Sequence, residues 1–263
     1  MSGVSREPLA GGFGVPLGVK LAAADSARAL LGRTGAAEIL LVGDGSDPDR
    51  QDFPAEFRAL LHGEPIRYID INKEAVFPAT YSIVLLDTSV SDGPTSTREV
   101  YDEVIGDWSN FDVPGTDLAY ATGTLPAGSY PTAGVKFDVP PLLANFVRIT
   151  GYNAPRSIDR ALLWDLFWRT ADNPDPSDYH IFNHLIGESG ERLAQADGRA
   201  FPGIQWRPGD VVLSRFLLPM SEDANLPHTM RVGMYRYPSL ENVPVLDEAA
   251  NPAADAVEIS LIK

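Results

Sequence analysis

DYHIFNHLIGESGERLAQADG, residues 178–198, carries two of the four histidines in the chain, His180 and His184. Its secondary structure decides what they can do. On a helix, positions four apart meet on one face, and H-x-x-x-H can grip a metal. On a strand they share a face but lie about 13 Å apart, at about 3.3 Å of rise per residue. One zinc ion, with Zn–N distances near ~2 Å, does not span that gap. Aromatic and β-branched residues fill 178–186, Pro174 and Pro176 precede them, and GESG follows as a turn. ERLAQADG then reads as the returning strand of a hairpin. The segment is therefore read as strand, with both histidines beside Phe182 on one sheet face.

The rest of the second half has the same texture. From about residue 112, apolar-aromatic runs alternate with Gly, Pro, Asn and Asp clusters: ANFVRITGYNAP, GDVVLSRFLLP, TMRVGMYRYP and AVEISLIK are examples. Regular punctuation of this kind indicates an antiparallel β-sandwich. IDRALLWDLFWRT also fits helical spacing, but turn-like NAPRS and DNPDPS flank it, so it is read as strand. If it alternates, Trp164 and Trp168 share a face with Leu162 and Leu166, which favours packing.

The first half reads differently. LAAADSARALLGR has helical spacing and runs toward Gly35, a helix stop. AEILLVGDG, PIRYIDI and YSIVLLD read as buried strands, FPAEFRALLHG as a helix with Pro54 near its first turn and Gly63 past its end, and STREVYDEVIGDW as a third helix. The expected fold is α+β in two parts. After an N-terminal extension over 1–20, residues 21–111 form a small α/β domain, a parallel sheet with helices. Residues 112–263 form an antiparallel β-sandwich of jelly-roll type.

Composition narrows the function. A net charge of −15, with no Lys/Arg cluster, disfavours nucleic acid and anionic membranes as partners. The absence of cysteine removes disulfides, thiolate metal sites and thiol nucleophiles. No apolar run reaches the length of a membrane span, and MSGVSREPLAGGFGVPLGVK lacks the apolar core of a signal peptide. The sequence as written is expected to be soluble, with no membrane insertion and no export of its own.

The chemical motifs are weak. VGDGSDPD follows a strand as a phosphate loop would, but it lacks G-x-G-x-x-G, and Asp44, Asp47, Asp49 and Asp52 repel phosphate. It also lacks the closing Glu of an EF-hand, so it is read as a solvated loop. GESGE only half resembles a nucleophile elbow and lies in a hairpin turn. With 36 acidic residues, sequence alone singles out no carboxylate pair. Trp164, Trp168, Trp206, Tyr235 and Tyr237 are read first as packing residues, and as sugar-stacking rings only where exposed.

The order of motifs is more distinctive than any one of them. Phe182, His184 and Leu185 are followed by Asp197-Gly198, then Trp206 with Pro208-Gly209-Asp210, then Arg231-Val232-Gly233 with Tyr235. LLANFVRITGYN precedes them, and the first half contributes AEILLVGDGSDPD and AVFPATYSIVLLD. This pattern resembles the soluble extracytoplasmic region that follows the membrane helices of certain bacterial glycosyltransferases. Those enzymes are related to the dolichyl-phosphate-mannose–protein mannosyltransferases. The individual roles of these residues read as structural: Gly209 after Pro208 suits a type II turn, and Asp197-Gly198 a tight hairpin.

In such enzymes the catalytic carboxylate lies near the membrane helices. The resemblance thus implies a non-catalytic region at the extracytoplasmic face, with a glycan and the membrane portion of a parent enzyme as partners. A stand-alone carbohydrate-binding module and a hydrolase using a carboxylate pair are the rival readings. The carbohydrate-binding candidates are Trp206, Tyr235 and His184. No cofactor is expected; if calcium binds, Asp197, Asp210 and Asp247 are its first candidate ligands.

Overall fold

A computed structural model of the protein describes residues 15–90, 93–115, 119–220 and 229–261. Strand is their commonest secondary structure, and they form two compact units that divide at Pro131/Thr132. Among the described residues no helix is long and apolar enough to cross a membrane.

The first unit contains α1 (Leu17–Thr34), β1 (Glu38–Gly43), α2 (Asp52–Leu60), β2 (Ile66–Asp70), β3 (Glu74–Phe77), β4 (Ser82–Asp87), α3 (Arg98–Asp102), β5 (Trp108–Asp112) and β6 (Ala119–Leu125). Its sheet is mixed, in the order β2-β1-β4-β6-β5. β1 runs parallel to β2 and β4, whereas β6 is antiparallel to β4 and β5. Ile39, Leu41, Ile83, Leu85 and Tyr120 pack against Ala23, Ala24 and Ala27 of α1 and Phe53 and Phe57 of α2. Small alanines let α1 lie close to the sheet. Leu40, Val42, Val84 and Leu86 are also buried, which explains why β1 and β4 are apolar without alternation. Gly35 ends α1 in the left-handed conformation, at φ 67°.

The unit boundary differs from the one expected after residue 111. The change of texture near 112 coincides with the end of β5, whose antiparallel partner β6 closes the first sheet. Antiparallel texture therefore begins before the second unit does. Of the N-terminal extension expected over 1–20, residues 1–14 lie outside the described residues, and α1 already begins at Leu17.

The second unit contains β7 (Val135–Lys136), β8 (Leu142–Leu143), β9 (Val147–Ile158), β10 (Ala161–Thr170), β11 (Tyr179–Ile186), β12 (Arg192–Arg199), β13 (Val211–Pro219), β14 (Thr229–Arg236), β15 (Glu241–Val243), β16 (Val245–Leu246), β17 (Pro252–Ala254) and β18 (Val257–Ser260). One antiparallel sheet runs β17-β16-β8-β9-β10-β13, with β7 also on β9. The other runs β12-β11-β14-β15, with β18 also on β14. This is the layered arrangement of a β-sandwich. Trp164 of β10 donates its indole N–H to Asn183 Oδ1 of β11 at 2.9 Å, and Asn183 donates to the Ala196 carbonyl. The two sheets are thus joined through a hydrogen-bonded polar pair inside the core.

β10 is the strand that was ambiguous in sequence. Trp164, Leu166 and Trp168 are fully buried, and Asp165 on the other face is buried as well, gripped by Arg215 from β13 at 2.7 Å. Burial on both faces erases its alternation. The Pro208-Gly209 turn forms as expected: the Asp210 N–H donates to the Arg207 carbonyl, and Gly209 has φ 78°. The Asp197-Gly198 hairpin does not form. Both residues lie inside β12, opposite Phe182 and Ile181, and the β11–β12 turn is made at Gly187–Glu191 with Gly190 at φ 86°. A Cβ on Gly198 would meet the Phe216 ring at an ordinary contact distance of 3.4 Å, so neither space nor backbone conformation requires a glycine there.

Candidate functional site

Along β11, Tyr179, Ile181, Asn183 and Leu185 are buried, while His180, Phe182, His184 and Ile186 are half-buried on the outward face. Strand register brings neighbours to that face. Arg199, Asp197 and Gln195 of β12 stand opposite His180, Phe182 and His184, and Tyr235, Gly233 and Arg231 of β14 stand on the other side. Gly233 has no side chain, and the Phe182 ring occupies the space: a Cβ there would lie 2.4 Å from Phe182 Cζ.

The rings form a strip. Tyr237 stacks on His180 with centroids 4.5 Å apart and planes 12° from parallel, and it is 50% exposed. Tyr235 packs on the same imidazole at 5.3 Å, and its hydroxyl lies 3.1 Å from His180 Nδ1. Phe182 and His184 continue the strip at 5.0 Å. His184 Nε2 faces Asp197 at 3.5 Å. Burial, and then the Arg199 charge, hold His180 below its ordinary pKa. Burial likewise lowers His184, with Arg192 and Arg231 adding to it and Asp197 opposing. Both imidazoles are therefore neutral at pH 7, and burial keeps the Tyr235 hydroxyl protonated. The result is an uncharged ring surface edged by Asp197, Arg199 and Arg231.

Two of the three expected carbohydrate residues, His184 and Tyr235, lie on this face. Trp206 does not. It is 3% exposed, packs against Trp168 and Tyr179 at 5.2 and 5.5 Å, and donates its indole N–H to the Phe201 carbonyl. It is a core residue and offers no ring to a ligand. Sequence reasoning weighed His180 only as a metal ligand and Tyr237 as a stacking ring only if exposed, so neither stood among the carbohydrate-binding candidates. The alternation of His180 with buried Tyr179 and Ile181 was legible, but its contact with Tyr237 was not.

The three calcium candidates are not brought together. Asp197 lies on β12 beside His184, buried Asp210 accepts the Arg207 N–H within its own turn, and Asp247 accepts the N–H groups of Ala249 and Asn251. Each carboxylate is engaged locally, on a separate segment. Among the described residues no group of three His, Asp or Glu is placed to hold a metal ion.

The first unit contains a second concave feature. At the carboxyl ends of β1 and β4, a cleft of 680 Å³ opens between Asp44, Gln51, Asn72, Asp87 and Ser89, with Phe53 among its lining residues. The chain leaves β1 for β2 on one side, and β4 pairs on the other, so this is where the strand order reverses. Gly43 and Gly45 clear space there: a Cβ would meet the Phe53 ring at 2.4 Å and the Gln51 amide at 1.6 Å. Asn72 Nδ2 donates to Asp44 at 3.1 Å, and the Ser89 hydroxyl donates to Asp87 at 2.6 Å. Burial, followed by Asp44 and Glu56, raises the Asp87 carboxyl above its ordinary pKa against the Ser89 hydrogen bonds. VGDGSDPD, read from sequence as a solvated loop, is thus one wall of a cleft.

Comparison with known proteins finds no matching family model, curated sequence or solved structure.

Proposed function

We propose that this chain is the non-catalytic soluble region of a membrane glycosyltransferase, at the extracytoplasmic face, and that it handles glycan or acceptor through the outer face of β11, β12 and β14. The observation that carries the reading is the half-exposed strip Tyr237–His180–Tyr235. A pyranose has an apolar C–H face and a hydroxyl rim. Neutral rings meet the first without desolvating a charge, while Asp197, Arg199 and Arg231 stand where hydroxyls would be met. The motif order from Phe182 to Tyr235 supplies the link to a glycosyltransferase. Within this reading the sandwich is of jelly-roll type and the first unit is a small α/β domain.

The test is a glycan-array screen with the wild-type chain and Tyr237→Ala. Tyr237 is half exposed, so the variant keeps its unfolding midpoint. Expected is binding to one sugar class, weakened about fivefold or more by the loss of one stacking ring. No binding, or binding indifferent to Tyr237, overturns the assignment of this face. A stand-alone carbohydrate-binding module would use the same rings. It parts from the first reading on whether the gene encodes membrane helices upstream of Met1.

One observation favours a hydrolase using a carboxylate pair: Asp87, with its raised pKa, stands in a cleft that also contains Asp44. Turnover of aryl glycosides separates that reading from the non-catalytic one.

A further inference from the structure

The cleft at the ends of β1 and β4 belongs to the first unit, whereas the ring strip belongs to the second. In open sheets with parallel strands, ligands settle outside the carboxyl ends of the strands, where strand order reverses. The cleft occupies that place, between β1 and β4, and its 680 Å³ lies within the range of small-molecule sites. Its lining is mixed. Asp44 and Asp87 accept hydrogen bonds, Asn72 and Gln51 carry amides that donate and accept, Ser89 carries a hydroxyl, and Phe53 is an aromatic ring.

Three ligand classes can be weighed against this set. An anion meets Asp44, Asp52 and Asp87 in the lining, with Arg50 as the basic residue there, so phosphates and sugar acids are repelled. A divalent cation needs several converging oxygens, and no three acidic or histidine side chains converge among the described residues. A neutral polyol uses what is there: vicinal hydroxyls donate to the carboxylates, accept from the amides, and add no charge to desolvate.

We infer that this cleft is a binding site for a neutral monosaccharide, held through adjacent hydroxyls by Asp44 and Asp87 and oriented by Asn72, Gln51 and Ser89. The space that Gly45 leaves positions Gln51, and the space that Gly43 leaves positions the Phe53 ring in the lining. The site rests on the first unit alone and holds whether or not the ring strip binds glycan.

The test is amide-resolved NMR titration of the whole chain with glucose, mannose, galactose and arabinose, and in parallel with glucuronate and spermidine. Expected are saturating shifts at residues 44, 72 and 87–89 for at least one neutral sugar, with a Kd of about 1 mM. Glucuronate should bind at least tenfold more weakly than its neutral counterpart, about the effect of one uncompensated like charge. Asp87→Asn preserves shape and should weaken sugar binding about tenfold, as should Asn72→Ala. Tyr237→Ala should leave these shifts unchanged, which separates failure here from failure of the ring strip. Silence of these amides to every neutral sugar, shifts confined to spermidine, or binding by both cleft variants as tight as wild type overturns the inference.

Discussion

Replacing Trp206 by alanine tests the reading of this residue as core. The side chain is 3% exposed, lies between Trp168 and Tyr179, and satisfies the Phe201 carbonyl through a 2.7 Å hydrogen bond. Truncating a buried Trp to Ala costs about 3–5 kcal/mol, transfer and cavity terms together. Losing the indole hydrogen bond to the Phe201 carbonyl adds about 1 kcal/mol. The expected loss is therefore about 4–6 kcal/mol, a large share of the roughly 5–15 kcal/mol that stabilises a domain. Trp206→Phe keeps one ring but loses the indole N–H, and should cost about 1–2 kcal/mol. Urea unfolding measures both, with amide exchange in β11 and β14 reporting on the second unit by itself. A Trp206→Ala chain that keeps its unfolding midpoint yet loses glycan binding would refute the reasoning, because only a surface platform behaves so.

Two further outcomes follow from charge. Burial alone would raise the Asp175 carboxyl, but hydrogen bonds from Ser177 and Tyr179 and the Arg236 charge outweigh it and hold the pKa at about 2. A depressed acid stabilises the fold above its unfolded pKa of about 4 and loses that contribution as pH falls toward 2. At face value the shift is worth about 2.5 kcal/mol; solvent around this partly exposed group reduces it to about 1 kcal/mol. Asp175→Asn should cost that much at pH 7 and only a small remainder of it at pH 2 in denaturant titrations; an equal cost at both would point to packing instead. Asp165 and Arg215 pair in a buried setting through two hydrogen bonds, with Asn153 also on the carboxylate. Arg215→Met leaves that carboxylate uncompensated and should cost about 3–5 kcal/mol, whereas adding Asp165→Leu should recover most of the loss. A double variant no more stable than Arg215→Met would show that the pair's packing, not its charge, is what matters.

Local chemistry in the sequence determined more of this protein than pairing did. The alternation over 179–186 specified a strand and the face of each side chain, because a strand's period of two is set by backbone geometry alone. Gly35 and Pro208-Gly209 marked their turns because few residues tolerate positive φ. What depends on partners distant in sequence was not legible. Asp197-Gly198 is a turn dipeptide by local preference, yet pairing with Phe182 and Ile181 holds it in a strand. β6 lies in the stretch read as sandwich but completes the first sheet between β4 and β5, since strand pairing follows contacts and not composition.

The candidate sites divide in the same way. Trp206 and Tyr237 are both aromatic residues near turns, but one is enclosed by Trp168 and Tyr179 and the other is left half exposed on His180. Only the register of β14 on β11, which sets Tyr235 opposite His180 across 55 positions of sequence, assembles the ring strip. Only the parallel pairing of β1 with β4 sets Asp44 near Asp87. Residue type and spacing prescribe local backbone and facing. Which side chains meet is decided by strand order, because that is where long-range burial outweighs local preference.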